Sequence, residues 1–146
     1  MNDDQRAAIE HACTRLSYEY ARAIDFRDYD NFAELFATDG ELEVGRTLSG
    51  RTAIQESLHG RPDELRSRHV ITNVLIDVES ASSARGTSYL SLYRHLGPES
   101  LDRVPIAFDA PAAIGHYEDR FICEGGIWLF KRRKLFLAFS NSALMG

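Results

Sequence analysis

Along the first sixth of the chain, apolar residues recur at separations of three and four. From Asp4 to Phe26 they are Ala8, Ile9, Ala12, Leu16, Tyr20, Ala23 and Ile24, which is the period of one helical face, so the pattern predicts a long first helix. Asp28 to Phe36 opens with capping residues and sets Phe32, Leu35 and Phe36 on one stripe, predicting a short second helix that Asp39-Gly40 ends. Glu41 to Val44 alternates as a brief strand, and a turn over Gly45 to Gly50 leads into a third helix, Arg51 to His59, closed by Gly60-Arg61-Pro62.

Beyond Pro62 the period falls to two. His69 to Val78 is rich in β-branched residues. Simple alternation puts Val70, Thr72, Val74, Ile76 and Val78 on one face, with His69, Ile71, Asn73, Leu75 and Asp77 on the other. A turn at Ala81-Ser82-Ser83 leads to a second long strand, Ala84 to Leu96. A loop from Gly97 to Pro111 holds three of the four prolines. Strand three is expected over Ala112 to Cys123, a hairpin at Glu124-Gly125-Gly126, and strand four over Ile127 to Phe139. Helices first and a meander of long strands afterwards argue for an α+β fold, with helices packed on a mostly antiparallel sheet. Strands of this length twist and curl, so the sheet is expected to form a cone with an internal cavity, the kind of concave apolar site that takes small molecules.

At 146 residues the chain is read as a single domain, 1–146. Its 17 basic residues against 22 acidic ones leave a formal charge of -5, which argues against nucleic acid as a partner. The absence of a long apolar run or of a basic start followed by an apolar block argues against a membrane span or secretory signal, and a cytoplasmic protein is expected. Cys13 and Cys123 have no neighbouring ligand spacing, so neither a disulfide framework nor a zinc site is expected. The five histidines are not paired at metal-ligand spacing either, and no metal is called for. Gly-x-Ser-x-Gly, phosphate-loop and Gly-x-Gly-x-x-Gly motifs are all missing. The run Lys131-Arg132-Arg133-Lys134, on an alternating strand, reads as a solvated face.

Few polar residues remain as candidates for chemistry. Asp25 follows Ala21, Ala23 and Ile24 at the inner end of the first helix, where solubility does not require an acid. It either serves a site or simply caps the second helix or meets Arg22 or Arg27. Tyr18 lies two turns before it on nearly the same face, whereas Tyr20 is rotated well round the axis. His69 opens the first long strand, as a site residue or a structural one. His116, beside Tyr117 on strand three, is a candidate cavity residue.

Taken in order, Tyr20-Ala21-Arg22-Ala23-Ile24-Asp25-Phe26-Arg27-Asp28-Tyr29-Asp30, Leu35-Phe36-Ala37-Thr38-Asp39-Gly40, Gly50-Arg51-Thr52-Ala53-Ile54, Arg68-His69-Val70-Ile71-Thr72-Asn73-Val74, Gly115-His116-Tyr117-Glu118-Asp119-Arg120 and Gly126-Ile127-Trp128 resemble the SnoaL-like branch of the nuclear transport factor 2-like superfamily. Within it the patterns nearest are those of scytalone dehydratase and bile acid dehydratase. The resemblance implies that Asp25 and His69 form a catalytic pair across the cone and matches Tyr20 to a family tyrosine; either Tyr20 or Tyr18 would donate to the substrate carbonyl, with Tyr18, Ser88 and His116 expected as substrate contacts. Ser88 falls near the position of a second family histidine, and His116 or Glu118 near that of a family asparagine. The activity so implied is that of a lyase (dehydratase) or isomerase working without metal or organic cofactor on a cyclic, largely apolar hydroxyketone of steroid or polyketide type. The same fold also serves as a non-catalytic small subunit of ring-hydroxylating dioxygenases and as a simple binding protein. An apolar outer sheet face, together with the resemblance, points to a homodimer or homotrimer.

Overall fold

The computed structural model describes residues 1–107 and 110–145. Residues 108 and 109 of the expected loop and residue 146 of the expected domain lie outside the described residues. Helix α1 (Asp3–Asp25) opens on a capping box in which Asn2 and Gln5 bond each other's backbone, and it buries Ile9, Cys13, Leu16, Tyr20 and Ile24 along one stripe. Helix α2 (Tyr29–Glu34) follows after a reversal at Arg27, whose φ of 60° is left-handed. Strands β1 (Phe36–Glu43) and β2 (Thr47–Ser49), helix α3 (Arg51–His59), long strands β3 (Leu65–Val78) and β4 (Ser83–Leu96), then β5 (Ala113–Glu124), β6 (Ile127–Ser140) and a terminal turn of helix α4 (Ser142–Met145) complete the order.

The six strands run β2-β1-β6-β5-β4-β3. All neighbouring pairs are antiparallel except β1 with β6, which is parallel. Helix α1 lies against β3, and its apolar stripe meets Leu90, Tyr117, Phe121 and Phe130 from the sheet's concave face. This is the helix-covered curved sheet expected from the pattern. Strand β1 starts at Phe36, directly after α2, rather than at Glu41, and β3 starts at Leu65, four residues before His69. A short 3-10 turn (Pro98–Leu101) sits in the expected loop. Both cysteines are free, and burial pushes the Cys13 thiol up to about 12.

Two irregularities decide which side chains face inward. In β3 the pairing slips between Thr72 and Leu75, with Asn73 at φ 52°, so two residues oppose one on β4. The slip breaks the single apolar row that alternation predicts. Ile71 packs inward before it and Val74, Ile76 and Val78 after it, while Val70 and Leu75 are exposed. In β6 the register passes from Phe121↔Phe130 to Arg120↔Arg132, leaving Lys131 as the extra residue. Arg133 therefore turns inward, correcting its reading as part of a solvated face; it is completely buried, whereas Lys131, Arg132 and Lys134 stay outside against Asp39 and Glu43.

Candidate functional site

Asp25 is the last residue of α1, at the end where the helix dipole disfavours a negative charge. Three donors offset that cost. The Ser67 hydroxyl donates to Oδ1 at 2.8 Å, the His69 backbone N–H donates to Oδ2 at 2.7 Å, and His69 Nδ1 lies 2.6 Å from Oδ1. Asp25 meets neither Arg22 nor Arg27. Arg27 instead reaches from the α1–α2 junction to the carbonyls of Pro62, Asp63 and Leu65, tying the end of the helix to the start of β3. That tie holds the carboxylate opposite Ser67 and His69, which share the inward face of β3.

Both side chains of the pair are nearly dry, 6% exposed for Asp25 and 9% for His69. A carboxylate already accepting from Ser67 and a backbone amide can only accept again, so Nδ1–H donates the third hydrogen bond and Nε2 presents a lone pair. His69 borders a cavity of about 360 Å³ whose walls include Leu65, Leu90, Leu92, Leu135, Tyr20 and Tyr117. The Tyr20 ring meets the imidazole edge-on at 6.3 Å between centroids and the Tyr117 ring at 5.6 Å. Burial raises both phenols above their ordinary value, Tyr117 strongly, and a hydrogen bond between them works on Tyr20 in the opposite sense. Both stay protonated as hydrogen-bond donors at neutral pH.

Behind the tyrosines lies a second charged group that alternation does not reveal. Arg133 donates from Nε and Nη2 to the two oxygens of Asp119 at 2.9 and 3.0 Å and from Nη2 to Ser17 at 2.8 Å. Its guanidinium carbon sits 3.8 Å from the Tyr117 ring centroid and 4.4 Å from that of Tyr20. Burial opposes the charge on Arg133, but Asp119 more than offsets it and holds the guanidinium above its ordinary value. The only signal in the sequence was a basic residue facing an acid across a hairpin whose slip could not be seen.

Tyr20, Asp25 and His69 are thus brought together. The other three expected site residues are not. Tyr18 is 52% exposed on the outer side of α1, because a step of two positions rotates it from Tyr20 by about 200° around the helix. Ser88 is buried 3.5 Å from Arg133 Nη2 and does not line the cavity. His116 alternates with Tyr117 and so lies on the convex face, stacked on Phe136 at 5.0 Å with Nε2 2.9 Å from Glu118. Among the described residues no three His, Cys, Asp or Glu side chains group closely enough to hold a metal ion, and no helix is long and apolar enough to cross a membrane.

The SnoaL-like domain model matches residues 5–134. Among solved structures, a candidate scytalone dehydratase of Novosphingobium aromaticivorans DSM 12444 is 24% identical, with TM-score 0.81 over 96% of this chain and 91% of its own. A Mycobacterium tuberculosis protein of unknown function is 26% identical, with TM-score 0.78 over 100% and 82%. Hexachlorocyclohexane dehydrochlorinase LinA-type3 of Novosphingobium barchaimii LL02 is 17% identical, with TM-score 0.79 over 96% and 93%. No curated protein matches. With the family match spanning nearly the whole chain and the cone-shaped sheet shared with these structures, the chain belongs to the SnoaL-like domain family, within the nuclear transport factor 2-like fold.

Proposed function

We propose that the chain is a cofactor-independent lyase or isomerase that abstracts a proton next to the carbonyl of a cyclic, largely apolar hydroxyketone. The observation that carries the reading is the 2.6 Å contact of His69 Nδ1 with a buried Asp25, beside a cavity walled mainly by apolar side chains. Asp25 fixes the tautomer and stabilises the imidazolium formed when Nε2 takes the proton. The C–H electron pair moves into a C=C bond as the carbonyl oxygen gains charge, and Tyr20 is suited to donate to that oxygen. In dehydration the electrons return, the carbonyl reforms, the C–O bond to the neighbouring hydroxyl breaks, and the imidazolium hands it the proton. Water leaves and His69 is neutral again. In isomerisation the same proton goes to a different carbon.

Exchange of α-protons for deuterium tests the first step without knowledge of the leaving group. A panel of bicyclic ketones and hydroxyketones in D₂O is followed by NMR, with the parent beside His69→Ala. Loss of about 10²–10⁴ in exchange rate is expected. Equal exchange by both proteins rejects the mechanism. The same reading includes self-association through the convex face, where Val70, Ser91, Ile114 and Phe139 stand in one cross-strand row, with Ile114 37% and Phe139 70% exposed. Light scattering showing a monomer at all concentrations would remove that part.

A further inference from the structure

The mechanism leaves two arginines of the cavity wall unused. Arg61 follows α3 and donates Nη2–H to Ser67 Oγ at 3.2 Å, one hydroxyl away from Asp25. Its Nε is buried and has no hydrogen-bond partner. Arg94 is on β4 directly opposite Ser67, on the same inward face, and makes no hydrogen bond or ion pair among the described residues. Partial burial and the nearby Arg61 both push Arg94 below its ordinary value, as expected of two like charges facing one cavity. The cavity they share with His69 has no carboxylate in its lining. Two half-buried guanidinium groups, one with an idle buried N–H, face a single carboxylate, Asp25, which leaves one positive charge for an anion to complete.

We propose that Arg61 and Arg94 form the binding subsite for a carboxylate on the substrate, so that the cyclic hydroxyketone processed at the His69 site carries an acid group rather than being neutral. The proposal rests on the proton-abstraction reading for its site and adds the substrate class. Charge decides between carboxylate and phosphate. Arg61, Arg94 and the Asp25 carboxylate sum to one positive charge with His69 neutral; a monoanion brings the site to zero, while a phosphate dianion leaves it negative. Proton transfer from the substrate to His69 then moves charge within a neutral site. Ser67 and His69 are two residues apart on β3, so the carboxylate lies about 7 Å along the strand from the imidazole, the span of a ring or a short side chain.

The test is calorimetric titration of the full chain with 2-naphthoate, its neutral amide 2-naphthamide, and 2-naphthyl phosphate, at low and high salt. Naphthoate is expected to bind at least about tenfold tighter than the amide, the advantage of a charge-assisted contact, and to weaken with salt. Arg94→Gln should abolish the preference and Arg61→Gln should reduce it. Arg94→Gln should also melt no lower than the parent, since it loses no partner. Equal binding of acid and amide, no binding of naphthoate, a preference untouched by Arg94→Gln, or tighter binding of the phosphate overturns the proposal. His69→Gln separates the two readings: it should keep the naphthoate preference and lose deuterium exchange. A variant that keeps both sinks the base assignment and leaves the arginine subsite standing.

Discussion

Replacing Asp25 by Asn removes one charge and almost no volume, and its consequence follows from counting donors. The carboxylate accepts from Ser67 Oγ, the His69 backbone N–H and His69 Nδ1. An amide has only one accepting oxygen. With that oxygen in the place of Oδ1, the amide N–H₂ faces the His69 backbone N–H, and a nearly dry donor is left unsatisfied, costing about 1–3 kcal/mol. With the amide turned over, the backbone N–H is satisfied, but N–H₂ now faces Nδ1. The imidazole must then move its hydrogen to Nε2, which leaves no lone pair toward the cavity. The second arrangement is the cheaper, so the variant should fold with a melting temperature lowered by about 3–10 °C or less while deuterium exchange falls about 10²–10⁴-fold. Nitrogen NMR of the labelled histidines reads the tautomer directly: Nε2–H in the variant, Nδ1–H in the parent. Exchange within threefold of the parent, in a folded variant whose His69 carries the Nε2 hydrogen, would refute the assignment of Nε2 as the base.

Three further predictions concern the structure around that pair. Asp119→Ala strips a fully buried Arg133 of its bidentate partner and should cost about 3–5 kcal/mol in urea unfolding, whereas Asp119→Ala combined with Arg133→Met should recover most of it; equal costs would mean that the buried charge is hydrated. Because burial raises Tyr20 and Tyr117 above their ordinary value, the native state keeps phenolic protons that the unfolded chain releases above about pH 10; stability should decline as pH rises beyond that point, and Tyr20→Phe should flatten the decline in urea melts between about pH 9 and 11. Asn73→Val places a β-branched side chain at φ 52° and should lower stability by about 1–2 kcal/mol, while Asn73→Gly should be close to neutral; a well-tolerated valine would show that the strand has an accessible alternative register.

How much of the site was legible depends on the distance over which each signal acts. The α1 stripe from Ile9 to Ile24 and the long alternating strands are local patterns, and they forecast the helix, the strands and the α+β layout. Asp25 stood out locally as an acid where solubility asks for none, but spacing alone left it free to cap α2 or pair with Arg27; its pairing with His69 was anticipated through the family resemblance. Tyr18 and Tyr20 could not be separated while the rotation of α1 relative to the sheet was open. His116 was misplaced because parity along β5 says which residues alternate without saying which set faces the helices.

By itself, then, the amino-acid order determined the elements and the apolar stripe that closes the cone, because both follow from interactions within a few residues. Only the tertiary structure decided which side chains meet inside it. The extra residue in β3 and the one at Lys131 in β6 exchange inner and outer faces beyond them, so Arg133 is buried and Leu75 exposed against the simple alternation. Such slips depend on pairing with a neighbouring strand, an energy no local window contains. The meeting of Arg61 and Arg94 beside Ser67 likewise arises only when the turn after α3 folds onto the β3–β4 pair.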